Sequence, residues 1–274
     1  MAALLVVVTV FALLIWLVIR LINPPLIIVR PNEQCVATSG DASSSMTLEQ
    51  SGNAALVVGE SLRRGLPARA ATIALATAWQ ESGLRNLDYG DRDSIGLFQQ
   101  RPSQGWGSFQ QIMDPGYSAG KFYEALVKVP NWQSGDINDI AQTVQRSGVP
   151  DGYRKHEPNA RIWASALTGH SPAALSCVDR AGGRGDATTL DIFLARVFAT
   201  SVSVTLDAGT VTLGSPNTTT LWAATQLSMA TMGSTGVTEA QFGTQTWVHN
   251  PDSIADWQGT PRAATASAVL KLRA

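Results

Sequence analysis

Glu81 stands in the run Ala78-Trp-Gln-Glu81-Ser-Gly, and Gly96-Leu-Phe-Gln-Gln100 follows a short way downstream. The spacing of Ala70, Ile73, Ala74 and Thr77 predicts a helix opened by Pro67 and closed by Gly83. Glu81 falls at its end, on the face that carries Ile73 and Thr77. A carboxylate leaving an apolar helix face into a cleft has its pKa raised, because burial disfavours the charged form. That is the condition for a general acid near neutral pH, of the kind that protonates a glycosidic oxygen. A helix-terminal Glu alone is more often a solvated surface residue, so its neighbours decide. Trp79, Phe98, Trp106, Tyr117 and Tyr123 offer either flat apolar faces for sugar rings or ordinary core packing. Gln99 and Gln100 can each donate and accept, as recognition of N-acetyl groups requires. Asp88, Asp91 and Asp93 lie close by, and Asp91-Arg92-Asp93 reads as an organiser of the loop through turn and Arg contacts.

The elements that must position these residues are legible from periodicity and punctuation. A helical pattern starts at Asn53 with Ala54, Leu56, Val57 and Leu62, before Gly65 and the helix that bears Glu81. Tyr117 to Val129 and Ile137 to Arg146 are two further helical stretches, each preceded by Asp, Pro or Gly. Residues 53–170 therefore read as mostly helical. Gly182-Gly-Arg-Gly-Asp186 marks a linker, after which Val202–Leu206 and Thr210–Leu213 alternate like strands. Leu221–Met232 is helix-like and Ala266–Leu272 alternates again, giving a small α+β module. Residues 31–52, with Thr38-Ser-Gly-Asp-Ala-Ser-Ser-Ser, read as a flexible tether.

The 274 residues carry 20 Lys and Arg against 21 Asp and Glu. A net charge near zero lacks the basic footprint of a nucleic-acid binder, so that class is set aside. Charged residues are only 15% of the chain, below the roughly 25% of an ordinary soluble domain. Part of the deficit lies in Ala2–Ile19, an uncharged apolar run long enough to cross a bilayer. No basic residue precedes it and no small-x-small cleavage site follows, so it reads as an uncleaved anchor rather than a signal peptide.

The pair Glu81-Ser-Gly and Gly96-Leu-Phe-Gln99 resembles the paired signature of the lytic transglycosylase and goose-type lysozyme superfamily. Phe98 stands where the family usually has Met. The longer string Gly90-Asp-Arg-Asp-Ser-Ile-Gly-Leu-Phe-Gln-Gln-Arg-Pro-Ser-Gln-Gly-Trp-Gly107 looks like an actinobacterial branch of it. The resemblance covers about residues 53–165. It implies a mainly α lysozyme-like domain, peptidoglycan as substrate, and cleavage of the β-1,4 link between N-acetylmuramic acid and N-acetylglucosamine. Glu81 would be the catalytic acid, and Ser82, Gly96, Leu97, Phe98, Gln99 and Gln100 would line the substrate, with no cofactor. The family's third motif, Ala-x-Tyr-Asn-x-Gly, is not matched. Gln142, Gln145 and Tyr153 are the candidates to replace its Tyr, and lytic and hydrolytic cleavage both stay open. A weaker resemblance links Leu221–Val237 and Trp247…Asp256-Trp-Gln-Gly to zinc D,D-carboxypeptidase-related domains. The final strand has no ligand and His249 is the only His of that module, so no metal site is expected and the module reads as non-catalytic.

Together these readings divide the chain into a transmembrane anchor (1–24), a flexible linker (25–52), a lysozyme-like domain (53–177), a second linker (178–199) and a small α+β module (200–274). Arg20 and Arg30 would by charge alone keep the bulk of the chain in the cytoplasm. A wall-cleaving enzyme has its polymer outside, so a single-pass membrane protein with extracytoplasmic domains is expected. Cys35 and Cys177, which lack metal-ligand spacing, are then expected to pair. Peptidoglycan and the membrane are the expected partners. The competing expectation is a glycan-binding scaffold within a secretion or conjugation machine of the cell envelope.

Overall fold

The computed structural model describes residues 32–260 and 265–274. Strands β1 (Gln34–Ser39) and β2 (Ala42–Thr47) form a hairpin about Gly40-Asp41, with Gly40 in the left-handed region at φ 59°. Strand β3 (Leu175–Val178) pairs antiparallel on the other side of β1. Thr47 ends β2 and caps helix α1 (Leu48–Arg63), exchanging capping-box bonds with Gln50. Helices α2 (Ala68–Ser82), α3 (Pro115–Leu126), α4 (Ile137–Gln145) and α5 (Glu157–Leu167) follow. Helix α2 is a run of Ala, Thr, Ile and Leu buried on nearly every side, sandwiched between α1, α3, α4 and α5. Such burial fixes the position of its C-terminal end, where Glu81 sits.

The second half builds a five-stranded antiparallel sheet. Helix α6 (Ala187–Phe198) leads to β4 (Ser203–Asp207) and β5 (Thr210–Gly214). Helix α7 (Thr218–Ala230) precedes β6 (Val237–Phe242), β7 (Gln245–Val248) and β8 (Ser267–Leu272). The strand order is β4-β5-β8-β6-β7. Helix α7 is apolar all round because it is enclosed by the helices on one side and this sheet on the other. Gln226 in its middle accepts from the Ala174 N–H at 2.8 Å and donates to the carbonyls of Ala166 and Ser171 at 2.7 and 3.0 Å. Trp247 and Trp257 donate to Ser176 and to the Leu175 carbonyl, both at 2.9 Å. One continuous core therefore runs from the helices into the sheet, and the described residues belong to one unit.

Five expectations are corrected here. Two antiparallel sheets make the fold α+β rather than mainly α. Among the described residues no helix is long and apolar enough to cross a membrane, which overturns the transmembrane helix and the single-pass membrane location. The longest, α1, has 16 residues and carries Glu49, Glu60 and Arg63, against the ~20 apolar residues a span needs. The run Ala2–Ile19 that prompted those expectations lies outside the described residues. The expected tether is instead the β1–β2 hairpin. Its inward positions are Cys35, Ala37, Ser44 and Met46, and small residues there hide the alternation. The expected 178–199 linker contains α6, capped by Asp186 accepting from the Thr189 N–H.

The junction of the two halves is tight at Gly169, which follows α5 at φ +79°. A Cβ there would collide with the Thr219 carbonyl oxygen and lie 2.7 Å from the Ala223 nitrogen. Gly169→Ala is expected to cost about 3 kcal/mol, from backbone strain and overpacking against α7. Denaturant unfolding measures it, and an unchanged midpoint would show that the two halves are not held together here.

Candidate active site

Helix α2 ends in a left-handed Gly83 (φ 65°), whose N–H bonds the Ala78 and Trp79 carbonyls. That stop leaves Glu81 in the last turn, half-buried, with Ser82 turned inward. The Ser82 hydroxyl lies 2.8 Å from the Leu97 carbonyl and 3.1 Å from that of Ala78. Ser82 therefore fastens the Gly96–Gln100 loop to the helix that carries Glu81. Leu97 and Phe98 are fully buried, and the Phe98 ring stacks on Phe122 at 4.7 Å between centroids. Gly96 is left-handed at φ 77°, and a Cβ there would sit 3.0 Å from the Ile112 carbonyl oxygen. Gln100 is buried and donates to the Ser118 carbonyl at 3.0 Å, while its backbone bridges Ile95. Gln99 is left-handed too (φ 47°), and its amide folds back onto the Tyr89 and Gly96 carbonyls, both at 3.3 Å. The loop is thus held in shape by buried and self-bonded side chains.

The three candidates for the missing motif take different places. Tyr153 is fully buried, and its hydroxyl donates to Glu81 Oε1 at 2.6 Å. Gln145 donates to the Phe98 carbonyl at 2.8 Å and also interacts with the Glu81 carboxyl. Gln142 donates to the Ser147 carbonyl at 2.6 Å, bracing the turn after α4. Asn138 is the residue that sequence reasoning missed. Its Oδ1 accepts from the N–H groups of Tyr153 and Arg154, each at 3.2 Å, and its amide donates to the Pro150 carbonyl at 2.9 Å. It pins the 150–154 turn and so sets Tyr153 against Glu81. A buried Asn one residue into a helix after an Asp cap is the available signal, and it is not specific.

Burial pushes the Glu81 carboxyl above its ordinary range, and the bonds from Tyr153 and Gln145 pull the other way. Burial and the adjacent carboxyl raise the Tyr153 phenol, so it remains a donor at neutral pH. Tyr153→Phe keeps the ring's packing and removes the bond that favours the charged carboxylate. The Glu81 pKa is therefore expected to climb further, read by carboxyl NMR titration. A pKa that stays put or falls would show that the phenol does not tune the acid.

Asp93 is bound on both oxygens, by Arg101 Nε at 2.6 Å and by the Ser103 N–H at 2.8 Å. Ser103 and Arg101 together hold its carboxyl well below the usual range. It ties the two ends of the loop together. Asp88 and Asp91 are exposed. Among the candidate aromatics, Phe98 and Tyr123 are core residues, the latter donating to the Val57 carbonyl at 3.0 Å. Trp79 is half-buried and stacks on His156 at 5.9 Å, beside Glu81 in sequence. Trp106 is half-buried and lines a cleft of about 700 Å³, with Gln104, Lys128, Val144, Gln145 and Arg146 on its other walls. Gln145 lines this cleft and also interacts with the Glu81 carboxyl. Far from this site, His249 Nε2 accepts from the Asp179 N–H at 3.1 Å. Cys35 and Cys177 face each other across the β1–β3 pair and form a disulfide.

The arrangement can hold a proton on a buried carboxyl beside a cleft with an aromatic wall and amide groups. Compared with models of known protein families and with curated proteins, the chain matches none.

Proposed function

We propose that this protein cleaves the β-1,4 bond between N-acetylmuramic acid and N-acetylglucosamine in peptidoglycan strands, with Glu81 as the general acid. The observation that carries the reading is the half-buried Glu81 carboxyl at the end of α2, 2.6 Å from the Tyr153 hydroxyl and beside the Gly96–Gln100 loop. Burial raises the pKa of that carboxyl, which supports its role as a proton donor. The cleft bounded by Trp106 and Gln145 supports an extended glycan ligand.

The reaction proposed uses a single protein carboxyl. Glu81 gives its proton to the glycosidic oxygen as the C1–O bond breaks, and the oxygen of the sugar's own acetamide attacks C1. The resulting carboxylate keeps the Tyr153 bond and then takes the proton of the C6 hydroxyl. That oxygen displaces the acetamide at C1 and closes an anhydro ring, so Glu81 ends protonated and no water is consumed. Asp93, the one of the three loop aspartates that is not fully exposed, has both oxygens engaged by Arg101 and Ser103, which favours this route over inverting hydrolysis. Incubation with purified insoluble peptidoglycan is expected to release soluble fragments in proportion to time and protein. A suspension that stays intact would exclude this function.

A further inference from the structure

Lys128 follows the end of α3 and Arg146 caps α4, and both side chains are exposed on the cleft that Gln145 joins to Glu81. Neither makes an ion pair or side-chain hydrogen bond among the described residues. The other arginines near the site are occupied: Arg101 binds Asp93 and Arg154 binds Asp136. No carboxylate lines the cleft among the described residues, and the nearest acid on α3, Glu124, is held by Lys121 at 2.9 Å and Arg64 at 3.3 Å. Two unpaired cations therefore line the same cleft in a chain whose net charge is −1. The positive charge is a local feature of the cleft rather than a property of the surface, and concavity concentrates its field.

Arg146 sits in the left-handed region at φ 53°, an uncommon conformation for a residue with a side chain. Its N–H closes α4 on the Gln142 carbonyl at 2.7 Å, in a position where Gly would be unstrained. An arginine kept there, next to Gln145, puts a guanidinium on the cleft wall at a cost in backbone strain. A guanidinium matches a carboxylate in two parallel hydrogen bonds, and a lysine ammonium adds a point charge beside it.

We infer that Lys128 and Arg146 form a subsite for a carboxylate carried by the glycan strand, so that the cleft distinguishes acidic strands from neutral ones. This rests on the glycan reading of the preceding subsection. Two sources of the group exist on such a strand: the lactyl carboxyl where no peptide is attached, and the carboxyls of the attached peptide.

The test measures binding by calorimetry at low salt with Glu81→Gln, which keeps the strands uncut. Four tetrasaccharides serve as probes: peptide-free, the same with its lactyl carboxyls amidated, peptide-bearing, and peptide-bearing with all carboxyls amidated. An acidic probe is expected to bind roughly tenfold more tightly than its amidated counterpart, an advantage that shrinks as salt rises. Which acidic probe shows the advantage identifies the source. The double substitution Lys128→Gln with Arg146→Gln is expected to erase the difference between acidic and amidated probes. Equal binding of acidic and amidated probes, or a difference that survives the double substitution, would overturn the subsite and leave the glycan reading standing. Failure of all four probes to bind would overturn both. Selective binding by a protein that never cleaves peptidoglycan would leave the subsite standing and remove only the role given to Glu81.

Discussion

Glu81→Gln is expected to lower peptidoglycan cleavage by roughly 10²–10⁴-fold while the fold is kept. The amide has the shape of the carboxyl and still accepts the Tyr153 hydroxyl, but it cannot give up a proton to the leaving oxygen. The same substitution has a thermodynamic signature. The folded Glu81 carboxyl titrates above its unfolded value because it is buried. Its contribution to stability is therefore present at acid pH and lost as pH rises through the folded pKa. Gln does not titrate, so the variant is expected to gain stability relative to the native protein as pH rises through that range. Thermal unfolding as a function of pH measures this. Full turnover in the variant would remove Glu81 from the mechanism, and parallel stability profiles would show that its carboxyl is not strained by burial.

Loss of the Cys35–Cys177 disulfide is expected to be the largest stability effect of any single side chain. The bond joins residues 142 apart in sequence, and a closed loop of that size is worth about 2–5 kcal/mol when native geometry is undistorted. Both cysteines are fully buried and directly opposed in the β1–β3 pair, so Cys177→Ala removes the link without exposing the sheet. The expected fall in Tm is roughly 10 °C, reproduced in the native protein by reductant under mild denaturation. The bond fastens the hairpin before α1 to the strand after α5, and so closes a covalent ring that contains helices α1 to α5. An unchanged Tm after reduction would show that the hydrogen-bonded hairpin alone is enough to hold that ring.

Much of the helical frame was legible because Pro and Gly punctuate it. Pro67 and Gly83 bracket α2 and by themselves put Glu81 at its end. The alternation of Val211 and Leu213, and of Ala268, Leu270 and Leu272, marked β5 and β8 in the same way. The β1–β2 hairpin was not legible, since Ser44 and Ala37 are inward-facing yet look like tether residues. Helix α6 was hidden by the Gly-rich run before it. Within the site, residue type could not separate Gln142, Gln145 and Tyr153, because all three are polar and within one helix and turn. Their separation depends on Asn138, whose bonds to the 150–154 turn are long-range and leave no periodic trace. Ser82 and Gln100, expected from the resemblance to line the substrate, are buried and bonded to the Leu97 and Ser118 carbonyls, a framework role that polarity alone does not reveal.

The most direct test is mass analysis of the fragments released from purified peptidoglycan, native protein and Glu81→Gln side by side. A single carboxyl acting with the substrate's acetamide predicts anhydro-ended muropeptides from the native protein, one water lighter than hydrolysis products, and none from the variant. Fragments with hydrated reducing ends would mean that water, rather than the C6 hydroxyl, attacks C1, and an intact polymer would mean that the site does not cleave it. Either result would contradict the account given for Glu81.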